Sequence, residues 1–277
     1  MKWIFAFLLA VLIFGGAALF SYKIFIRPEI VMRAERQSTP TPPEDMGLPE
    51  FQAAEKLKAA GQLAEARVAL TAFIQKYPSG PHVGAAQDLL GEVNISILLS
   101  NYPAPEKEEY IVRSGDVLAR VATKFKSTPE LIMRTNNLSG TMLRIGQKLF
   151  ISRPEFSILV QRGGKLLYLL DHEHFFKRYA LREEKLPANP PAKINTRVAE
   201  IMAWRNGKRI GFGSRDFLGS TRWIRLNTPG YIIYSLPDDS HQILDIPPPA
   251  SGFGMPASDV EELSSLVNPK TAVTITP

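Results

Sequence analysis

The chain has 277 residues, of which 45% are hydrophobic and 22% charged. That balance belongs to a folded protein of one large domain or several small ones. Lys and Arg number 33 against 27 Asp and Glu, a net charge of +6. This draws a protein towards anionic partners, and no run of five like charges or basic-aromatic pattern points to nucleic acid. The absence of cysteine excludes disulfides, thiolate metal sites and cysteine catalysis.

From Trp3 to Phe20 every residue is apolar or glycine. About 18 such residues are long enough to cross a bilayer as a helix. The segment predicts a transmembrane anchor over 1–22, because Leu19 and Phe20 prolong the run past the small residues Gly15 to Ala18. A cleaved secretory signal is the alternative. Lys2 precedes the segment, and Lys23, Arg27, Arg33 and Arg36 follow it. Taken alone, the positive-inside rule places the following chain in the cytoplasm, in conflict with the module described below. Residues 37–48, QSTPTPPEDMGL, read as a linker.

Residues 49–100 carry apolar residues at spacings of three and four. Phe51, Ala54 and Leu57 mark one helix face, and Leu63, Ala66, Leu70 and Phe73 the next. Gly61 falls at the turn between them, Tyr77-Pro78 closes the second, and Ala85, Leu89, Leu90 and Val93 mark a third face. The pattern resembles a tetratricopeptide repeat over about one and a half units. So short an array needs neighbours to pack on, and it reads either as a helical spacer or as a docking surface for a protein partner. Residues 101–109 read as a second linker.

Residues 109–153 predict a β-α-α-β module. Tyr110 to Val112 form a short strand, and Ser114-Gly115-Asp116 form a turn with Asp116 as the helix N-cap. Leu118, Val121, Ala122 and Phe125 supply the first helix face, Ser127-Thr128-Pro129 opens a second helix, and Lys148 to Ile151 form the last strand. Tyr110, Val112, Gly115, Asp116, Leu118, Val121-Ala122, Ile132, Asn136, Gly146-Gln147, Leu149 and Ile151 resemble the LysM family along its whole length. Val117 replaces the usual threonine, and Ser152 a closing proline. The resemblance implies a shallow groove for N-acetylglucosamine-containing glycan of the peptidoglycan type. Two loops would build it: Gly115, Asp116, Val117 and Leu118, then Asn137, Leu138, Ser139, Gly140, Met142 and Leu143. Glycine turns offer backbone amides to acetamido groups, and Leu and Met offer apolar faces to sugar rings. Arg113, Arg120, Lys124, Lys126, Arg134, Arg144 and Lys148 stand against Asp116 and Glu130, which suits an anionic wall polymer or simply a solvated surface.

From Phe156 the pattern turns to strands: FSILVQ, KLLYLLD, FFKRYAL, RVAEIMAW and YIIYSL. An acidic-capped helix, Ser258 to Val267, precedes a final strand. This ending, with LGSTRWIRLNTPGYIIYSL upstream, resembles the L,D-transpeptidase (YkuD-type) catalytic domain over 155–277. Aligned on Asp259-Val260-Glu261-Glu262-Leu263, the family histidine falls on Ala250, the cysteine on Gly252, the arginine on Gly254 and the upstream histidine on Tyr234. The family chemistry needs a thiolate activated by histidine, so no catalytic residue carries over. Ser251 or Ser235, with His241 nearest in sequence, would be the substitute nucleophiles. His172 and His174 form an H-x-H pair that lacks a third ligand and reads as two exposed hairpin-tip histidines.

The chain is thus expected to be a multidomain α+β protein: a transmembrane helix, a helical hairpin repeat, a βααβ LysM module and a mostly-β C-terminal domain. The expected function is non-catalytic peptidoglycan binding at the cytoplasmic membrane of a bacterium, with the folded part facing the periplasm or wall and with no cofactor and no metal. A wall-modifying enzyme with an unusual nucleophile and an envelope adaptor working through its helices are the alternatives.

Overall fold

The structure is a computed structural model that describes residues 47–101, 103–187, 189–239 and 241–277. The anchor expected over 1–22 and nearly all of the linker over 37–48 lie outside these residues. Among the described residues no helix is long and apolar enough to cross a membrane.

Three helices open the described chain: α1 (Leu48–Ala59), α2 (Leu63–Lys76) and α3 (Val83–Leu99). Gly61 joins the first two with φ +75, a left-handed turn that glycine adopts without strain. The expected faces of α1 and α2 form one cluster, with Phe51, Ala54, Ala66, Leu70 and Phe73 all buried. The third face is corrected. Ala85 is exposed, and Ala86, Leu90, Val93 and Ile97 face the other helices. Ile95 and Leu98 face the other way, into the core of the β domain. A helix covered on two sides loses the single-stripe period.

The βααβ module follows as β1 (Lys107–Ile111), α4 (Leu118–Lys124), α5 (Pro129–Thr135) and β2 (Lys148–Ser152). The linker expected over 101–109 is shorter, because Lys107, Glu108 and Glu109 already pair with Ser152, Ile151 and Phe150. Tyr110, Val112, Leu118, Val121, Phe125, Ile132, Leu149 and Ile151 form the module's own core.

The C-terminal half is mostly β: β3 (Phe156–Gln161), β4 (Leu166–Asp171), β5 (His174–Ala180), β6 (Glu183–Lys185), β7 (Ile194–Arg205), β8 (Lys208–Ile210), β9 (Thr221–Leu226), β10 (Ile232–Leu236), β11 (Gly252–Pro256), α6 (Ala257–Leu266) and β12 (Ala272–Thr276). The sheet order is β5-β4-β3-β12-β7-β9-β10-β11-β6, with β8 paired to β7. The last strand therefore sits mid-sheet, parallel to β3 and antiparallel to β7. Ile158, Val160, Leu167, Ile224, Ile233, Phe253 and Val273 from six strands share one core with Val260 and Leu263 of α6.

Side chains from the other segments enter that core. Leu131 of α5 belongs to it, as do Ile95 and Leu98 of α3. Helix α3 lies against edge strand β5. Asn94 Nδ2 donates to the Phe176 carbonyl at 2.8 Å, and Arg178 donates to Asp88 at 2.6 and 2.9 Å. Gly91 makes the close approach possible, since a Cβ there would stand 2.8 Å from Lys177 Cγ. Covering an edge strand in this way removes a pairing template.

The module is locked to the β domain by buried charge. Arg222 of β9 is fully buried and donates to Glu130 of α5 at 2.8 Å. Arg134 bonds Glu130 at 2.9 Å and Glu261 of α6 at 2.8 Å. Thr128 caps α5 by accepting from Leu131 N at 2.9 Å, and its hydroxyl donates to the Ser265 carbonyl at 2.8 Å. Residues 49–277 accordingly form one compact unit.

Candidate functional site

The β1–β2 ladder continues past β1, with Val112 N donating to the Gln147 carbonyl and Gly146 N to the Val112 carbonyl, each at 2.9 Å. The loop after β1 and the loop before β2 therefore leave the same end of the ladder. Leu118, Leu138 and Leu143 meet in one apolar cluster beneath them. The geometry thus brings the two loops singled out in the sequence to one end of the module.

Their residues divide by exposure. Val117 is 50% exposed and Met142 87% exposed. Gly115, Asn137 and Ser139 are also exposed, and Leu138, Gly140 and Leu143 are half-buried. Leu118 is 2% exposed and packs inward, which corrects its expected place on the glycan-facing surface. It is the first residue of α4, and its side chain points at the core rather than along the loop.

Asp116 is corrected too. The N-cap of α4 is Val117, which makes no side-chain cap bond. Asp116 instead closes the turn, accepting from Tyr110 OH at 2.7 Å and Arg113 N at 2.8 Å. The Tyr110 hydroxyl, and then the Arg113 amide, hold its carboxyl below the ordinary aspartate value. Gly115 supports the turn with φ +82. Asn136 fixes the second loop from behind. Its amide donates to the Ile132 and Phe150 carbonyls at 2.9 and 2.8 Å, and its oxygen accepts from Phe150 N at 2.7 Å.

On one face of the sheet, Trp223, Tyr234, Gly254 and Glu183 stand side by side on β9, β10, β11 and β6. A Cβ at Gly252 would lie 2.1 Å from the Ile232 carbonyl oxygen, at φ +132. No L side chain fits there. A Cβ at Gly254 would lie 2.6 Å from Leu236 Cδ1 and 3.0 Å from Glu183 Cβ. Tyr234 is buried and donates to Glu183 at 2.6 Å. Burial, and then the Glu183 carboxylate, push its phenol well above the ordinary tyrosine range. The positions at which the resemblance placed cysteine, arginine and histidine are thus filled by backbone, by neighbouring side chains and by a closed hydrogen bond.

Of the substitute nucleophiles, Ser235 is closed off. Ser235 is 1% exposed; its hydroxyl donates to the Arg222 carbonyl at 2.9 Å and accepts from Arg222 N at 3.3 Å. The His241 side chain is 95% exposed and faces Asp239 at 3.9 Å. His172 lies in the β4–β5 turn with φ +49, exposed and 2.8 Å from Asp171. Among the described residues no group of three metal-ligating side chains occurs.

Sequence reasoning missed the buried Arg222–Glu130 pair, and no local pattern marks a charge for burial. It also missed that α6 is capped from outside. Asp238, in the loop after β10, accepts from Ser258 N at 3.1 Å and from its hydroxyl at 2.9 Å.

No curated protein matches the chain. Among solved structures it is similar to a cysteine-to-serine mutant of the Enterococcus faecium L,D-transpeptidase, at 14% identity and a TM-score of 0.31 over 44% of this chain and 49% of that one. It is also similar to the Ldtfm-avibactam carbamoyl enzyme, at 12% identity and a TM-score of 0.30 over 69% of this chain and 82% of that one. The chain spans about half the length of the first. Residues 110–152 match the family model of the LysM domain, and with the βααβ order and the two loops at one end of its ladder, this module is a LysM domain.

Proposed function

We propose that the protein is a non-catalytic peptidoglycan-binding protein of the bacterial cell envelope. Its N-terminal segment anchors it in the cytoplasmic membrane. Its LysM domain grips N-acetylglucosamine-containing glycan, and its C-terminal domain is an L,D-transpeptidase-like scaffold without the chemistry. The observation that carries the reading is the LysM domain itself, with Val117 and Met142 exposed on its two loops. The loops hold apolar faces for sugar rings beside open backbone at Gly115 and Gly140, where a Cβ would meet nothing within 4 Å. The closed positions at Gly252, Gly254 and Tyr234 support the non-catalytic part.

The test is co-sedimentation of the full-length chain with purified sacculi, followed by muropeptide profiling of the pellet. Removing residues 110–152 is a poor control, because it takes Glu130 and Leu131 out of the β-domain interior. The double variant Val117→Asp/Met142→Asp alters only exposed loop positions. Pelleting that falls by about tenfold or more in this variant, with an unchanged muropeptide profile, supports the reading. Equal pelleting by both proteins refutes the LysM assignment of binding. New cross-links or cleavage products refute the non-catalytic part.

A further inference from the structure

The stretch Asn137–Thr141 does more than border the LysM loops. It is also one wall of a groove of about 580 Å³, whose other wall is the loop between β8 and β9. The two walls approach each other where Gly213, at φ +95, faces Thr141: a Cβ there would stand 3.9 Å from Thr141 Cγ2. Asn137, Leu138, Ser139 and Gly140 thus belong both to the proposed glycan site and to this groove.

Hydrogen bonds hold both walls: Asn137 N and Leu138 N donate to the Arg134 and Met133 carbonyls at 3.3 and 2.9 Å. Arg205 Nη2 donates to the Asp216 and Leu218 carbonyls, both at 3.3 Å. Gly219 N donates to Glu261 at 3.2 Å, and Phe217 N to the Ser214 carbonyl at 3.1 Å. Glu261 also binds Arg134, so one carboxylate ties the β8–β9 loop to α5, the helix that leads into the Asn137–Thr141 wall. A groove that is already ordered spends little of its contact energy on ordering.

The groove displays Phe212 at 42% exposure and Leu218 at 50%. Phe212 stands edge-on to the buried Phe217 ring at 5.3 Å, which fixes its orientation. Arg215 is exposed on the same loop and lines the groove with Ser139 and Ser214. Arg134 and Glu130 also line the groove but are engaged with each other and with Glu261, so the apolar faces, the small hydroxyl groups and the exposed Arg215 make a surface for a saccharide that carries acidic substituents.

We propose that this groove is a second subsite for the same glycan strand, taking the sugars adjacent to those held by the LysM loops, with Phe212 and Leu218 against sugar faces and Arg215 facing a carboxylate substituent. The proposal rests on the glycan reading above. The LysM domain would then read a longer stretch of glycan than its own two loops span, and the β domain would serve as the extension of that surface.

The test is calorimetric titration of the full-length chain with N-acetylglucosamine oligomers of increasing length and with soluble glycan fragments bearing carboxylates. The wild type is compared with Phe212→Ala/Leu218→Ala and with Arg215→Ala; all three side chains are exposed, and matched melting curves confirm the fold. The expected result is an affinity that rises with length in the wild type. In the double variant the longest oligomer binds about tenfold more weakly while the shortest is unchanged. Arg215→Ala weakens only the carboxylate-bearing fragments. A double variant that follows the wild type at every length overturns the subsite, as does a wild type that binds short oligomers with no gain in length. Undiminished binding of the acidic fragments by Arg215→Ala overturns the carboxylate contact. Absence of any sugar binding by the wild type overturns the glycan reading itself, and the subsite with it.

Discussion

Replacing Glu130 by alanine tests whether the LysM domain is built into the fold. Arg222 is fully buried, and Glu130 is its closest carboxylate at 2.8 Å. Without Glu130 the guanidinium keeps the Ser264 hydroxyl at 2.9 Å and the Phe217 carbonyl at 3.1 Å, both neutral. The nearest remaining charge is Glu261 at 3.9 Å, and Nε already lacks a partner. Removing one member of a buried pair costs about 3–5 kcal/mol, because it strands the other charge. Glu261 offsets part of that, which places the cost near 3 kcal/mol. For a folded unit of this size each kcal/mol lowers Tm by about 2–4 °C, so the drop should be roughly 6–12 °C. Differential scanning calorimetry at neutral pH reads it directly. The drop should persist in high salt, since buried charges are poorly screened. The double change Glu130→Gln/Arg222→Met should recover much of the loss, as hydrophobic replacement of buried pairs often does. A drop of under about 2 °C for Glu130→Ala would refute the argument that this pair is desolvated and structural.

Other outcomes follow from the same contacts. Gly252→Cys should not restore a nucleophile. Its Cβ would meet the Ile232 carbonyl at 2.1 Å with φ +132, and overpacking plus backbone strain costs about 2–6 kcal/mol; soluble yield and thiol labelling would check this, and a stable, reactive variant would contradict it. Asn136→Ala should cost about 2–4 kcal/mol in urea unfolding, because Phe150 N and O are left unpaired. The Asp116 carboxyl is shifted down by Tyr110 and Arg113, so the stability it adds is present above the ordinary aspartate pKa and is lost as pH falls through the lower, folded one. An NMR titration of that carboxyl should give a midpoint below about 3.9, and a midpoint above it would contradict the turn clamp.

The LysM domain was legible because its signals are local. Glycines sit at turns, an asparagine follows Ile132 by four residues, and apolar spacing fits in about forty residues. Even there, the start of α4 was read one residue early. Asp116 is a common N-cap type, yet its carboxyl is taken by Tyr110 and Arg113, and Val117 holds the cap position. Leu118 then falls on the inward face. Strand β11 went unread because GFGMP has poor strand propensity, and its place comes from pairing with β10 and β6. The resemblance to the L,D-transpeptidase family points to Tyr234, Gly252 and Gly254 as the positions of its catalytic residues, but their closure is not legible in the sequence, because it depends on Ile232, Leu236 and Glu183 from other strands. The docking of α3 on β5 had a trace in Val93, Ile95, Ile97, Leu98 and Leu99, which are spread too broadly for one helix face. Burial of Arg222 had none.

The central claim is that glycan is held by the LysM loops and not by the sheet face around Tyr234 and Gly254. Hydrogen–deuterium exchange on the full-length chain, with and without soluble N-acetylglucosamine oligomers, locates the contact. The account predicts protection at residues 113–118 and 137–145, with β10 and β11 around Tyr234 and Gly254 unchanged. Protection confined to Tyr234 and Gly254, with none at the LysM loops, would contradict it.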